Sequence, residues 1–130
     1  MYLYLLIAIG GALGSVMRFA MSGFVAHHAG ETFPWGTLLV NVLGSFVIGF
    51  FATFTGPDGR YLVNSAGRQF FMTGVLGGFT TFSSFSLQTL ALSREGEWLR
   101  AGGNVVGSVV LCLVAVWIGH LLAFSLNSSR

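Results

Sequence analysis

The chain has 130 residues, 54% of them hydrophobic and only 8% charged, with a formal net charge of +2. This composition excludes a soluble domain wrapped around a large core and points to a membrane protein. A net charge this small gives no ground for a nucleic-acid partner.

Four acids (Glu31, Asp58, Glu95 and Glu97) and six bases, all arginine (Arg18, Arg60, Arg68, Arg94, Arg100 and Arg130), are distributed so that four apolar runs remain. Each run reaches about twenty residues or more, enough for a helix to cross the hydrocarbon core of a bilayer. The predicted spans cover 3–24, 35–54, 70–92 and 101–126. The expected fold is an all-α membrane protein in which residues 1–130 form one transmembrane unit. Short polar connections leave no room for a second domain or an extramembrane catalytic unit.

The first span has no positive leader and exceeds a signal-peptide core in length, so it is read as a retained helix. The loop after it holds His27, His28 and Glu31, too few ligands for a metal centre. Trp35, an interface anchor, opens the second span, where Thr37, Asn41 and Ser45 fall at i, i+4 and i+8 on one face. Gly56-Pro57-Asp58-Gly59 is a turn signal in the loop that follows.

The third span contains Gly74-Val-Leu-Gly-Gly-Phe-Thr-Thr-Phe-Ser-Ser-Phe-Ser86. Adjacent Gly77 and Gly78 favour an interruption of the helix near its middle. Interrupted backbone at membrane depth survives only where protein, an ion or water takes up the freed carbonyls and amides. Thr80, Thr81, Ser83, Ser84 and Ser86 then offer hydroxyls, and Phe79, Phe82 and Phe85 recur every third residue. The run offers carbonyls, hydroxyls and ring edges but no charge, which marks an ion pathway.

In the fourth span, preceded by Trp98 as a second anchor, Asn104, Ser108 and Cys112 repeat the i, i+4, i+8 stripe. Cys112, the only cysteine, reads as a small packed residue and His120 as a packed or interfacial histidine. Asn127-Ser128-Ser129 matches a glycosylation site only by chance unless the chain is secretory. Gly10 and Gly14, Gly74 and Gly78, and Gly103 and Gly107 have the GxxxG spacing of close helix contact.

Counted from the membrane edge opposite the termini at about 1.5 Å per residue, Arg18, Asn41, Phe85 and Ser108 share a depth of roughly 10 Å. Together they favour an anion. An intramembrane arginine attracts one, amide and hydroxyl donors replace part of its hydration shell, and a phenylalanine edge is electropositive. Each also has a packing alternative: Arg18 can snorkel, Asn41 can bridge helices, the serines can bond their own helix carbonyls, and a phenylalanine can face lipid.

Four spans put both termini and the 55–69 loop on one side. Arg60, Arg68 and Arg130 lie there, against Arg94, Arg100 and Arg18 on the other. With the charge bias near zero, insertion in both orientations is open, as is a single orientation set by the first helix. Four helices are few for a pore with its own walls, so a conducting chain would need an oligomer. An antiparallel pair would supply the inverted symmetry of larger transporters.

Gly77-Gly-Phe-Thr-Thr-Phe-Ser-Ser-Phe-Ser86, preceded by Gly10-Gly-Ala-Leu-Gly-Ser-Val-Met-Arg18 and Gly36-Thr-Leu-Leu-Val-Asn-Val-Leu-Gly44, resembles the CrcB/Fluc fluoride channels. The resemblance runs through essentially the whole chain. It implies an antiparallel, dual-topology homodimer with two pores in the bacterial inner membrane, a multi-pass plasma-membrane protein that passively exports cytoplasmic fluoride which entered as hydrogen fluoride. It implies that Phe82 and Phe85 line the pores edge-on, that Asn41 coordinates fluoride, and that Ser108 belongs to a polar track. Cys112 continues this track where a hydroxyl is expected. Arg18 and Thr37 would belong to the entrance, and Thr81, Ser83 and Ser84 are further pathway candidates with Cys112. A structural sodium ion would sit at the dimer interface on the backbone carbonyls of Gly77 and Thr80 from both subunits.

Such a protein is a channel and not an enzyme. One competing reading is a proton-coupled exporter of the small multidrug resistance type, which needs a carboxylate inside the membrane, and none of the four acids lies in a predicted span. The other is a non-conducting packing subunit. The charge count yields a test of dual insertion. Two lysines added at the C-terminus should bias orientation and lower activity, and coexpression with an oppositely biased variant should restore it. Full activity of the singly biased variant alone would exclude antiparallel assembly.

Overall fold

The computed structural model describes residues 1–129; Arg130, counted above among the terminal-side arginines, lies outside the described residues. Among the described residues, four helical stretches are long and apolar enough to cross a membrane: Tyr2–Ala29, Trp35–Phe54, Ser65–Arg94 and Trp98–Ser128. The first two are α1 (Tyr2–Ala29) and α2 (Trp35–Phe54). The third is composite. It runs through α3 (Ser65–Arg68), a π-helical segment (Gln69–Leu76) and α4 (Gly77–Phe79), and resumes after two residues as α5 (Phe82–Arg94). The last is α6 (Trp98–Ser128).

Helix ends overrun the predicted spans for local reasons. Hydropathy reports what can lie in lipid, whereas α1 stays helical until Gly30, whose φ of 82° favours glycine and whose N–H closes on the Ala26 carbonyl at 3.0 Å. The third stretch starts at Ser65 and not at 70, because the Asn64 side chain accepts the Gly67 N–H at 2.8 Å and caps the first turn. Gly56 to Gly59 form a turn closed by Gly59 N–H to Gly56 O at 2.8 Å.

The interruption was expected at Gly77 and Gly78, but both are helical, with Gly77 at φ −63° and ψ −37°. The extended residues are Thr80 (φ −81°, ψ 155°) and Thr81 (φ −153°, ψ 115°). Gly78 serves another end. A Cβ there would stand 3.0 Å from the Gly11 Cα, so the missing side chain is what lets α1 come this close.

Glycine contacts set the packing, as expected where lipid tails remove most of the hydrophobic drive between helices. The Gly10/Gly14 ridge of α1 meets the Gly74/Gly78 ridge of the third stretch: a Cβ on Gly10 would lie 2.7 Å from the Phe70 carbonyl oxygen and 3.1 Å from the Gly74 Cα. On the other side of α2, Gly49 abuts Val116, and a Cβ on Gly119 would lie 2.9 Å from the Phe50 nitrogen and against the Phe46 carbonyl. The third GxxxG pair behaves differently. Among the described residues, nothing outside the neighbouring turns of α6 itself lies within 4 Å of where a Cβ on Gly103 or Gly107 would stand, so this pair makes no close contact with another described helix. The second helix is central, touching α1, α6 and the third stretch, and its Val40 is fully buried.

Polar ties close the end of the bundle nearest the termini. Thr53 Oγ1 and His120 Nδ1 are 2.7 Å apart, joining α2 to α6, and Asn127 Nδ2 donates to the Thr53 carbonyl at 3.1 Å. Asn127 Oδ1 accepts the Arg60 N–H at 2.9 Å. The Arg68 guanidinium donates to Thr55 Oγ1 at the C-terminus of α2, where a cation suits the helix dipole. Trp35 and Trp98 stand exposed at the starts of their helices.

The glycine contacts predict that Gly119→Ala destabilises the bundle by about 1–3 kcal/mol, the usual cost of overpacking. Gly102→Ala, with nothing within 4 Å of its Cβ position, should be neutral. Thermal unfolding in detergent, followed by size-exclusion elution, compares the two.

Candidate functional site

Two extended residues inside an apolar stretch leave peptide groups that need partners. The Asn41 carboxamide, brought up by α2, supplies a pair: Nδ2 donates to the Thr81 carbonyl at 3.0 Å, and Oδ1 accepts the Thr81 N–H at 2.8 Å. Thr81 in turn caps α5, its Oγ1 accepting the Ser84 N–H at 3.2 Å and donating to Ser84 Oγ at 3.1 Å. These bonds divert two donors. In an unbroken helix the Thr81 N–H would serve the Gly77 carbonyl and the Ser84 N–H the Thr80 carbonyl. Both carbonyls have therefore lost their helical donors to side-chain oxygens, and they are the acceptors a hard cation could use.

A cavity of about 340 Å³ opens beside this interruption. Asn41, Gly44 and Ser45 of α2 face it, with Gly77, Thr80 and Thr81, then Phe82 and Phe85 of α5, and Ser108 and Cys112 of α6. Ile48, Met72, Leu76 and Val109 complete an apolar wall. No carboxylate, imidazole, ammonium or guanidinium lines it. The rings of Phe82 and Phe85 are 5.3 Å apart between centroids and inclined at 52°. Phe85 is buried, whereas Phe82 is 77% exposed. Such a lining offers an anion polar hydrogens and aromatic rings while offering no fixed charge to hold it.

The structure thus brings Asn41, Gly77, Thr80, Thr81, Phe82, Phe85, Ser108 and Cys112 to one place. Other predicted residues stand elsewhere. Thr37 is buried at a second cavity of about 740 Å³ with Ser22, Gln88, Glu95 and Arg100, so the Thr37, Asn41, Ser45 stripe spans two cavities. Ser83 and Ser84 line neither and cluster around the Thr81 hydroxyl. Arg18, expected to meet Asn41, Phe85 and Ser108 at a shared depth, lines neither cavity. Its helix packs on the π-helical segment, α4 and α2, while α6 packs on α2 and α5, and depth says nothing of direction around an axis. His27 and His28, expected in a loop, instead form the last turn of α1, where the His28 Nδ1–H donates to the Phe24 carbonyl at 2.8 Å. No group of three metal-type side chains forms among the described residues.

A family model described as "CrcB-like protein, Camphor Resistance (CrcB)" matches residues 5–120. The chain belongs to the CrcB-like family. It is 76% identical over 130 residues to a protein of Opitutus terrae named fluoride-specific ion channel FluC, covering all of this chain and 98% of that one. Proteins of the same name from Methylocella silvestris (58% over 127 residues, 98% and 97% covered) and Rhodospirillum rubrum (60% over 124 residues, 95% and 96% covered) are similar as well.

Two features of this CrcB-like chain escaped the sequence reading. Gln88 lies at the larger cavity with a buried Oε1 that has no hydrogen-bond partner; its signal was a carboxamide three residues beyond Phe85 in an apolar span. Asn104, noted only as part of a stripe, donates from Nδ2 to Thr89 Oγ1 at 2.9 Å and links α6 to α5. The Asn41 pair predicts that Asn41→Leu, close in shape but unable to bond, strands both polar groups of the Thr81 peptide. The expected loss is about 2–6 kcal/mol in melting experiments, from about 1–3 for each of the two stranded groups, with faster hydrogen exchange at the Thr81 amide.

Proposed function

We propose that this protein is a fluoride-specific ion channel, a multi-pass protein of the plasma membrane that passes fluoride passively and exports it from the cytoplasm. The observation that carries the reading is the uncharged cavity at the interruption, where amide and hydroxyl groups meet the rings of two phenylalanines. Fluoride is small and strongly hydrated, so a path for it must replace water's hydrogen bonds without binding the ion so firmly that it cannot leave. Asn41, through its second Nδ2 proton, and Ser108 are the donors, and the rings of Phe82 and Phe85 are the weaker electropositive surfaces. The relatives' name supports the choice of ion, at identities of 58–76% over nearly the whole chain.

The working unit in this reading is an antiparallel homodimer with two pores. Its support is the balance of arginines across the membrane and the exposure of Phe82 beside the cavity. The interruption of the third helix then has a use at the dimer centre. The Gly77 and Thr80 carbonyls, deprived of helical donors, fit a structural sodium ion, a hard cation suited to oxygen ligands, and two chains would give it four. Arg18 and Thr37 would act on approach to the path, Thr37 from the larger cavity. A proton-coupled exporter is disfavoured because Glu31, Asp58, Glu95 and Glu97 all lie outside the helices.

Purified protein in liposomes tests the reading. Fluoride should leave with a potassium shunt and no imposed proton gradient, while chloride stays. Phe82→Ile and Phe85→Ile should each lower fluoride flux with the dimer intact by size exclusion, whereas Thr80→Ser, which keeps the carbonyl, should be mild. Equal chloride and fluoride flux, or obligatory proton exchange, would refute the channel reading. Unchanged flux in both isoleucine variants would remove the rings from the path.

A further inference from the structure

Hydroxyls on these helices repeatedly bond to their own backbone. Thr55, Thr80, Ser86, Thr89, Ser93 and Ser128 each donate to the carbonyl four residues earlier, at 2.7–3.0 Å. A proton committed in this way is not available to an ion. Ser108, at the cavity, differs: it donates to the side chain four residues earlier, Asn104 Oδ1, at 3.3 Å. That length is beyond the usual range for an O–H···O bond, so the bond is weak and readily exchanged.

The orientation of Asn104 follows from its other neighbour. Thr89 gives its one hydroxyl proton to the Phe85 carbonyl at 2.8 Å and has only lone pairs left to present to Asn104. The carboxamide must therefore turn Nδ2 to Thr89 and Oδ1 to Ser108. Asn104 is 2% exposed and Ser108 7%, so little water competes for either bond.

We propose that Asn104 is a positioning residue for the cavity: it draws the Ser108 hydroxyl off the helix backbone and holds its proton in a weak bond that an entering anion displaces. The inference rests on the fluoride reading of the cavity. Thr89 acts one step further back by fixing the carboxamide. Without Asn104 the Ser108 hydroxyl falls back on its own helix carbonyl, where the shorter bond withholds the proton from the ion.

The test is fluoride efflux from liposomes for wild type, S108A, N104A, T89V and the double variants N104A/S108A and T89V/S108A, with size-exclusion elution as the check on folding. S108A and N104A should each lower flux about fivefold to tenfold, the size of one ordinary hydrogen bond. The double variant should be no slower than S108A, because Asn104 works only through that hydroxyl. T89V should lower flux by a smaller factor and be silent in the S108A background, and it carries the test if N104A does not fold. N104A at wild-type flux, or losses that multiply in the double variant, would overturn the proposal while leaving the path in place. No fluoride flux in the wild type, or S108A at full flux, would instead overturn the assignment of the path to this cavity, and the proposal with it.

Discussion

The Thr81 peptide is held on both sides by one side chain, and in a membrane that pairing governs what else the chain can do. An unpaired peptide group in hydrocarbon costs several kcal/mol, so a helix cannot stop there unless something takes over its bonds. The Asn41 carboxamide presents its oxygen and one of its two amide protons to the N–H and C=O of this one residue. With Thr81 satisfied, Thr81 itself can begin a new helix, and α5 can present Phe82 and Phe85 to the cavity shared with Ser108. The same two diverted N–H groups leave the Gly77 and Thr80 carbonyls exposed to another use.

Around this point the helices are held by two kinds of contact. The first helix lies on the third stretch, and α6 on α2, through glycines whose missing side chains let backbones touch. The fifth helix has a lighter attachment to α6, including the Thr89 to Asn104 bond. Polar residues thus join elements where the cavity keeps backbones apart, and small residues join them where nothing lies between.

Much of the architecture was legible because it depends on local sequence. Four apolar runs separated by charged, turn-forming loops predict four spanning helices, and the 35–54 helix agrees end to end. Other features needed the partner to be visible. Gly78 reads equally well as a helix breaker or as a packing surface until Gly11 is seen against it. The π-helical turns of Gln69–Leu76 leave no mark in an apolar pattern. Among the site residues, rise along a helix set a shared depth for Asn41, Phe85 and Ser108 and also for Arg18, but only packing decides which faces converge. Asn104 was visible as one of a stripe, and its work is not, because that depends on which way Thr89 spends its proton.

The absence of acids and bases from the cavity lining has a physiological side under the fluoride reading. Hydrogen fluoride is a weak acid that crosses lipid in its neutral form, so the burden on a cell grows as its surroundings acidify. A passage lined by titrating side chains would change its own charge over the same range in which it is most needed. One built from amides, hydroxyls, thiol and phenyl rings keeps a constant character through acid stress, and the outward flow answers only to the fluoride gradient and the membrane voltage.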